Sequence, residues 1–141
     1  MSLISAVQTY LKTYTSLVAN APLWVDYLNA TPTAYSIVPL PGARKLEEHI
    51  DGGSIREYPF AFQIMESTAD DAIRLDTVEF AEEFADWLES QTLAGVLPTL
   101  ASGKTADSIE ATLWGYLMEQ GQSETAIYQI NCKLTYDQAA P

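Results

Sequence analysis

Hydrophobic positions along this chain change period near residue 70, and the change splits its longest patterned stretch into two elements. Tyr58, Phe60, Phe62 and Ile64 alternate with polar or small residues. A period of two sets them on one face of a half-buried strand, where aromatic side chains pack well. Beyond Asp70, the residues Phe80, Phe84, Trp87 and Leu88 recur at helical spacing, beside Thr77 and Ala81. They predict a helix with one aromatic stripe, and Glu79, Glu82, Glu83, Asp86 and Glu89 take its watery side. A strand with an aromatic face and a helix with an aromatic stripe satisfy each other by packing. The expectation is a two-layer α+β domain.

The same reasoning organises the rest. Leu3, Val7, Tyr10, Tyr14 and Leu17 lie three and four residues apart and predict an amphipathic helix over residues 2–19, capped by Ser2 and docked on the sheet. Residues 24–28 are a short apolar piece, helical or extended, and 29–33 read as a turn. Residues 35–38 suit a strand that Pro39 and Pro41-Gly42 end. Residues 44–50, the tip Asp51-Gly52-Gly53 and the strand from Ile55 follow the grammar of a β-hairpin. Leu46, Glu48 and Ile50 alternate with Glu47 and His49, so the outgoing arm is exposed on at least one side.

Gly95 closes the long helix, and a connection runs from Leu97-Pro98 through Gly103. Residues 108–119 read as a strand with Ile109, Ala111, Leu113, Gly115 and Leu117 on one face and Trp114 and Tyr116 on the other. After a turn at 120–124, Ala126, Tyr128, Ile130, Cys132, Leu134 and Tyr136 form the cleanest alternation in the chain. These last two strands should pair antiparallel. Residues 137–141 read as a flexible tail. No repeat or linker divides the single domain expected over residues 1–141.

Composition changes this picture mainly by exclusion. A chain of 141 residues buries roughly 68% of its unfolded surface. No run approaches the roughly 18 apolar residues of a membrane span, and the N-terminus lacks the pattern of a signal peptide, so no membrane partner is expected. Seven basic residues against 19 acidic ones leave a net charge of −12, which repels phosphates and argues against direct nucleic-acid binding. Cys132 is alone, so no internal disulfide forms, which fits a reducing compartment.

Candidate chemistry is sparse. One His and one Cys make no metal-ligand cluster. Glu66, Asp70, Asp71 and Asp76 form the densest acidic group, but they straddle a helix start, where the dipole favours acids anyway. Any triad would need His49, which sits on the exposed arm away from an apolar pocket. Cys132 shares a face with Tyr128 and Leu134 and reads as a small core residue. His49-Ile50-Asp51-Gly52 resembles the chloramphenicol acetyltransferase motif only faintly, because the spacing is too short and the tandem His is missing. Ala101-Ser102-Gly103-Lys104-Thr105 ends like a phosphate-binding loop, but Pro98 stands where its first Gly belongs, and Lys104 reads as a loop residue. No catalytic residue, metal or cofactor is expected.

One resemblance adds to this. Tyr35-Ser36-Ile37 with Pro39, Asp51-Gly52, and Tyr58, Phe60 and Phe62 are similar to a family of minor capsid or tail terminator proteins from phages and prophages of Gram-positive bacteria. The match continues through Phe84, Trp87 and Leu88, Leu97-Pro98, Gly103-Lys104 and Gly115, to Tyr128-Gln129-Ile130, Cys132, Leu134 and Tyr136. It covers residues 30–136, with His49 and Gly53 departing from the family's hairpin. The resemblance implies an antiparallel or mixed sheet of four to five strands, covered on one side by two main helices. It also implies a subunit of a ring, a hexamer, that caps the tail tube and joins tail to head in the virion. Partners would be other copies, the major tail tube protein and a head-completion protein. The candidate interface is the hairpin, with Arg44, Lys45, Glu47, His49, Asp51 and Arg56; three of the chain's seven bases lie there. Rival readings are a head-completion or connector subunit, a small-molecule-modifying enzyme such as an acyltransferase, and a binding module using Trp114 and Tyr116.

Overall fold

The computed structural model describes residues 2–14, 23–25, 34–67, 71–120 and 125–140. Their order is α1 (Leu3–Leu11), β1 (Leu23–Val25), β2 (Ala34–Pro39), β3 (Arg44–Glu48), β4 (Ser54–Ser67), α2 (Asp71–Ala94), β5 (Lys104–Gln120) and β6 (Thr125–Gln138). All six strands share one sheet in the order β1-β2-β4-β6-β5, with β3 also on β4. Every pairing is antiparallel except β1 with β2. The architecture is α+β, and the sheet is mixed, with six strands where four to five were expected.

The core lies between the sheet and the two helices. Phe60, Phe62 and Ile64 of β4 stand opposite Cys132, Ile130 and Tyr128 of β6, and all are buried. Tyr35 and Ile37 extend the same face through β2. Phe84 and Leu88 of α2 and Val7 and Leu11 of α1 close it, each fully buried. The Phe62 and Phe84 rings stack with centroids 4.6 Å apart, and Tyr35 stacks on Phe80 at 5.9 Å. Offset aromatic contacts of this kind add to plain burial.

Several elements end differently from their expected bounds, each for a local reason. Ser2 caps α1 by accepting from the Ser5 amide at 3.1 Å, but the helix stops at Leu11 with Lys12 as its C-cap. Tyr14 reaches the core from the following turn, and residues 15–19 lie outside the described residues. The turn expected at 29–33 also lies outside them, as do residues 26–28 and, of the turn expected at 120–124, residues 121–124; Gln120 is the last residue of β5, and Leu23–Val25 is extended. α2 ends in a Schellman arrangement: Gly95 takes φ +75°, its amide donates to Thr92 and the Val96 amide donates to Gln91. Residues 137 and 138 are no tail. They pair with β4 and β5 on both sides, and the Ala139 amide donates to Gly103 at 2.7 Å. Lys104 is the first residue of β5, opposite Gln138, rather than a loop residue.

β5 breaks the strict alternation read from its sequence. Register shifts at 106/108, 111/113, 113/116 and 117/119 interrupt its ladder with β6, so faces cannot be assigned by parity along its whole length. The side chains of Trp114 and Tyr116 lie outside the described residues.

One edge of β4 is shared by two strands. β2 runs along residues 60–65 and β3 along residues 54–57, so Pro59 falls at the handover. Its carbonyl accepts from the Leu40 amide at 3.1 Å, on the side of that gap. A proline there removes no hydrogen bond from the ladder with β6, which explains a proline inside an interior strand.

Candidate functional site

The hairpin of β3 and β4 is where the expected site residues gather. All five residues of β3 are exposed. The turn beyond it is held by its own backbone: the His49 amide donates to Gly53 O at 2.7 Å and the Gly52 amide to His49 O at 3.0 Å. Asp51 Oδ1 accepts from the Gly53 amide at 2.8 Å, an Asx turn. Gly52 has φ +92°, which a side chain would strain. At Gly53 a Cβ would stand 3.1 Å from both Asp51 Oδ1 and Gln138 O. Asp51 therefore shapes the tip, and Ile50 is left fully exposed on it.

A bulge between Lys45 and Glu47 sets the direction of the charged side chains. Arg44 and Glu47 lie opposite Glu57 and Ile55, whereas Lys45 and Glu48 lie opposite Arg56 and Ser54. In a regular strand Lys45 and Glu48 would face opposite ways; the bulge brings them to one face, where they pair at 3.4 Å. Lys45 also stands directly across from Arg56, an unfavourable like-charge pair. Arg56 is turned to Ser54 Oγ, its Nε donating at 3.0 Å.

Arg44 starts a row of alternating charge across the face of the sheet opposite the aromatic core. Its Nε meets Glu57 Oε1 of β4 at 2.6 Å. Lys133 of β6 lies 3.7 Å from Glu57 and 3.4 Å from Glu110 of β5. The Arg44 hydrogen bond is the main reason that the Glu57 carboxyl is held below its ordinary range; Lys133 adds to it, and desolvation opposes both. Further along this face Gln63 donates to Gln129 at 2.9 Å, and Gln129 to Asn131 at 2.8 Å. Sequence reasoning missed Glu57, Lys133 and Glu110. The polar-face positions of Glu57 and Lys133 were readable from the alternation of their strands, but the strand order that aligns them with Glu110 on the bulged β5 was not.

The structure brings Arg44, Lys45, Glu47 and Arg56 onto one ribbon and His49 and Asp51 onto its tip. His49 Nε2 lies 4.0 Å from Asp137 Oδ2 of β6. Cys132 is in the core instead, its thiol directed at Ile130 O at 3.7 Å, and burial pushes its pKa far up. A thiol so held stays protonated and is a poor nucleophile. Among the described residues no three His, Cys, Asp or Glu side chains converge as a metal site. Asp70 and the side chains of Glu66, Asp71 and Asp76 lie outside the described residues. No helix among the described residues is long and apolar enough to cross a membrane.

A groove of about 530 Å³ opens between α1 and α2 and is lined by Tyr10, Thr13, Trp87, Gln91, Val96 and Leu97, among others. Tyr10 Oη donates to Val96 O at 2.9 Å across 86 residues of sequence. Burial raises the Tyr10 pKa, with Gln91 opposing. Its polar groups among the described residues are the hydroxyls of Thr9, Tyr10, Thr13 and Thr99 and the Gln91 amide. Searched against protein-family models and against curated proteins, the chain matches none.

Proposed function

We propose that this chain is a non-catalytic structural subunit of a phage head–tail joint, a tail terminator that closes into a ring of six and caps the tail tube. The observation that carries this reading is the β3–β4 hairpin, which presents an exposed charged strand and an exposed apolar tip at Ile50. Such a ribbon is costly on a lone molecule and useful at an interface. The resemblance supports it in a second way. Its matching residues Ile37, Phe60, Phe62, Phe84, Leu88, Ile130 and Leu134 are the buried core, so it concerns shared architecture rather than shared chemistry. In this reading the ring faces meet the tube protein on one side and a head-completion protein on the other. Assembly proceeds in the host cytoplasm.

Many weak contacts repeated around a ring act at high effective concentration, so each can be small. The test is sedimentation velocity with and without purified tube protein, followed by electron microscopy of tube ends. Rings at tube ends are expected for the wild type, and fewer for Arg44→Glu/Arg56→Glu. A chain that never forms rings and never binds tube ends sinks the reading. Rings that bind the head-completion protein but not the tube make it a connector instead.

A further inference from the structure

Acids are unevenly spread along this chain: residues 1–25 and 90–106 hold none of its 19. Those two stretches form most of the groove between α1 and α2. Tyr10 and Thr13 come from the first, Gln91, Val96 and Leu97 from the second, and Tyr10 Oη joins them through Val96 O. Among the described residues no carboxylate lines the groove. Lys12, the exposed C-cap of α1, sets a base beside Thr13 at its rim. Trp87 and Val96, the latter 51% exposed, leave apolar surface uncovered there. On a molecule of net charge −12, this is a place where an apolar group flanked by acids meets little repulsion.

The hairpin tip has the matching character. Ile50 is wholly exposed, and Glu47, Glu48 and Asp51 stand within three residues of it. The turn is set before any contact by the His49–Gly53 and Gly52–His49 backbone bonds and by Asp51, so docking it costs little ordering. We propose that Ile50 of one copy plugs the α1–α2 groove of a second copy. The acids around the plug then face the part of the surface that lacks acids and carries Lys12. The threonine hydroxyls and the Gln91 amide are there to bond the tip's backbone groups. Within one chain Ile50 stays exposed and no hairpin residue is among the described lining of the groove, so plug and socket meet between copies. Such a contact is heterologous: each copy carries one plug and one socket, and repetition gives a closed ring or an open chain. It does not rest on the head–tail reading.

Sedimentation velocity over a range of protein concentrations tests it, at about 0.15 M salt, where the screening length is near 8 Å. Ile50→Asn removes the plug without changing the charge. Thr9→Glu/Thr99→Glu sets acids in the socket, and all three positions are exposed. The wild type is expected to associate with concentration and to grow past the dimer. Each variant alone should associate roughly tenfold more weakly or worse. Mixed, the two should form a heterodimer and nothing larger, because the one intact plug fills the one intact socket. Ile50→Asn alone decides the matter should the socket variant fail to fold. A wild type that stays monomeric throughout, an Ile50→Asn chain that assembles as well as the wild type, or a mixture of folded variants that stays monomeric overturns the proposal. Binding to tube ends without this self-association overturns the plug and leaves the head–tail reading standing.

Discussion

Phe84 and Trp87 lie on one helical stripe, yet their surroundings differ. Phe84 is fully buried against Phe62, whereas Trp87 is half-buried and lines the groove beside Tyr10. Truncating Phe84 leaves a closed cavity, and Phe84→Ala should cost roughly 3–5 kcal/mol. Trp87→Ala opens onto an existing groove and should cost about half as much, because water and neighbours refill it. Urea titrations of both variants, with unchanged slope, check the ranking; equal losses would mean that the groove is closed in solution. Cys132 offers a separate residue-scale test. Its buried, protonated thiol should resist a thiol reagent in the native state and react only as fast as the protein opens. Prompt labelling in native buffer would contradict the burial of Cys132 in the core.

Within the hairpin, Glu57 links two cations, and its depressed pKa makes that link pH-dependent. A carboxyl whose folded pKa lies below its unfolded one adds stability above the unfolded value of about 4.3. That contribution disappears as pH falls through the folded pKa. Wild type should therefore lose stability on acidification faster than Glu57→Gln, with the two curves converging at low pH. Parallel curves would mean that the row of charges is not formed. Gly52→Ala, forced to φ +92°, should destabilise the hairpin by about 1 kcal/mol in the same titrations. The sequence made much of this element legible. The period-two run at 58–64, the stripe at 80–88 and the alternation at 126–136 were each readable because one face is buried. The Asp-Gly tip announced the turn. What stayed hidden depends on partners far along the chain. Nothing local says that β2 and β3 share one edge of β4 around Pro59, or that β5 is bulged. The bulge at Lys45 and Glu47 likewise decides which way the candidate interface residues face.

For the molecule as a whole, a net charge of −12 on 141 residues favours expansion and separation of copies. Raising salt from about 0.01 M to about 0.15 M shortens the screening length from roughly 30 Å to 8 Å. The thermal midpoint should rise with it, while the close pairs Arg44–Glu57 and Lys133–Glu110 persist; a falling midpoint would mean that those pairs outweigh the repulsion. The sheet's edges are unequal under the same conditions. At β5 the Thr92 hydroxyl donates to Ile109 O at 2.8 Å and accepts from the Ile109 amide at 3.1 Å, so α2 occupies the hydrogen-bonding groups that another strand would need there. At β1 the Gln8 side chain takes the Leu23 carbonyl at 2.9 Å. β3 has no such cover among the described residues. A strand added along β5 would first have to displace the Thr92 hydroxyl from both backbone groups of Ile109, so the long helix acts as a latch on that edge as well as a lid on the core.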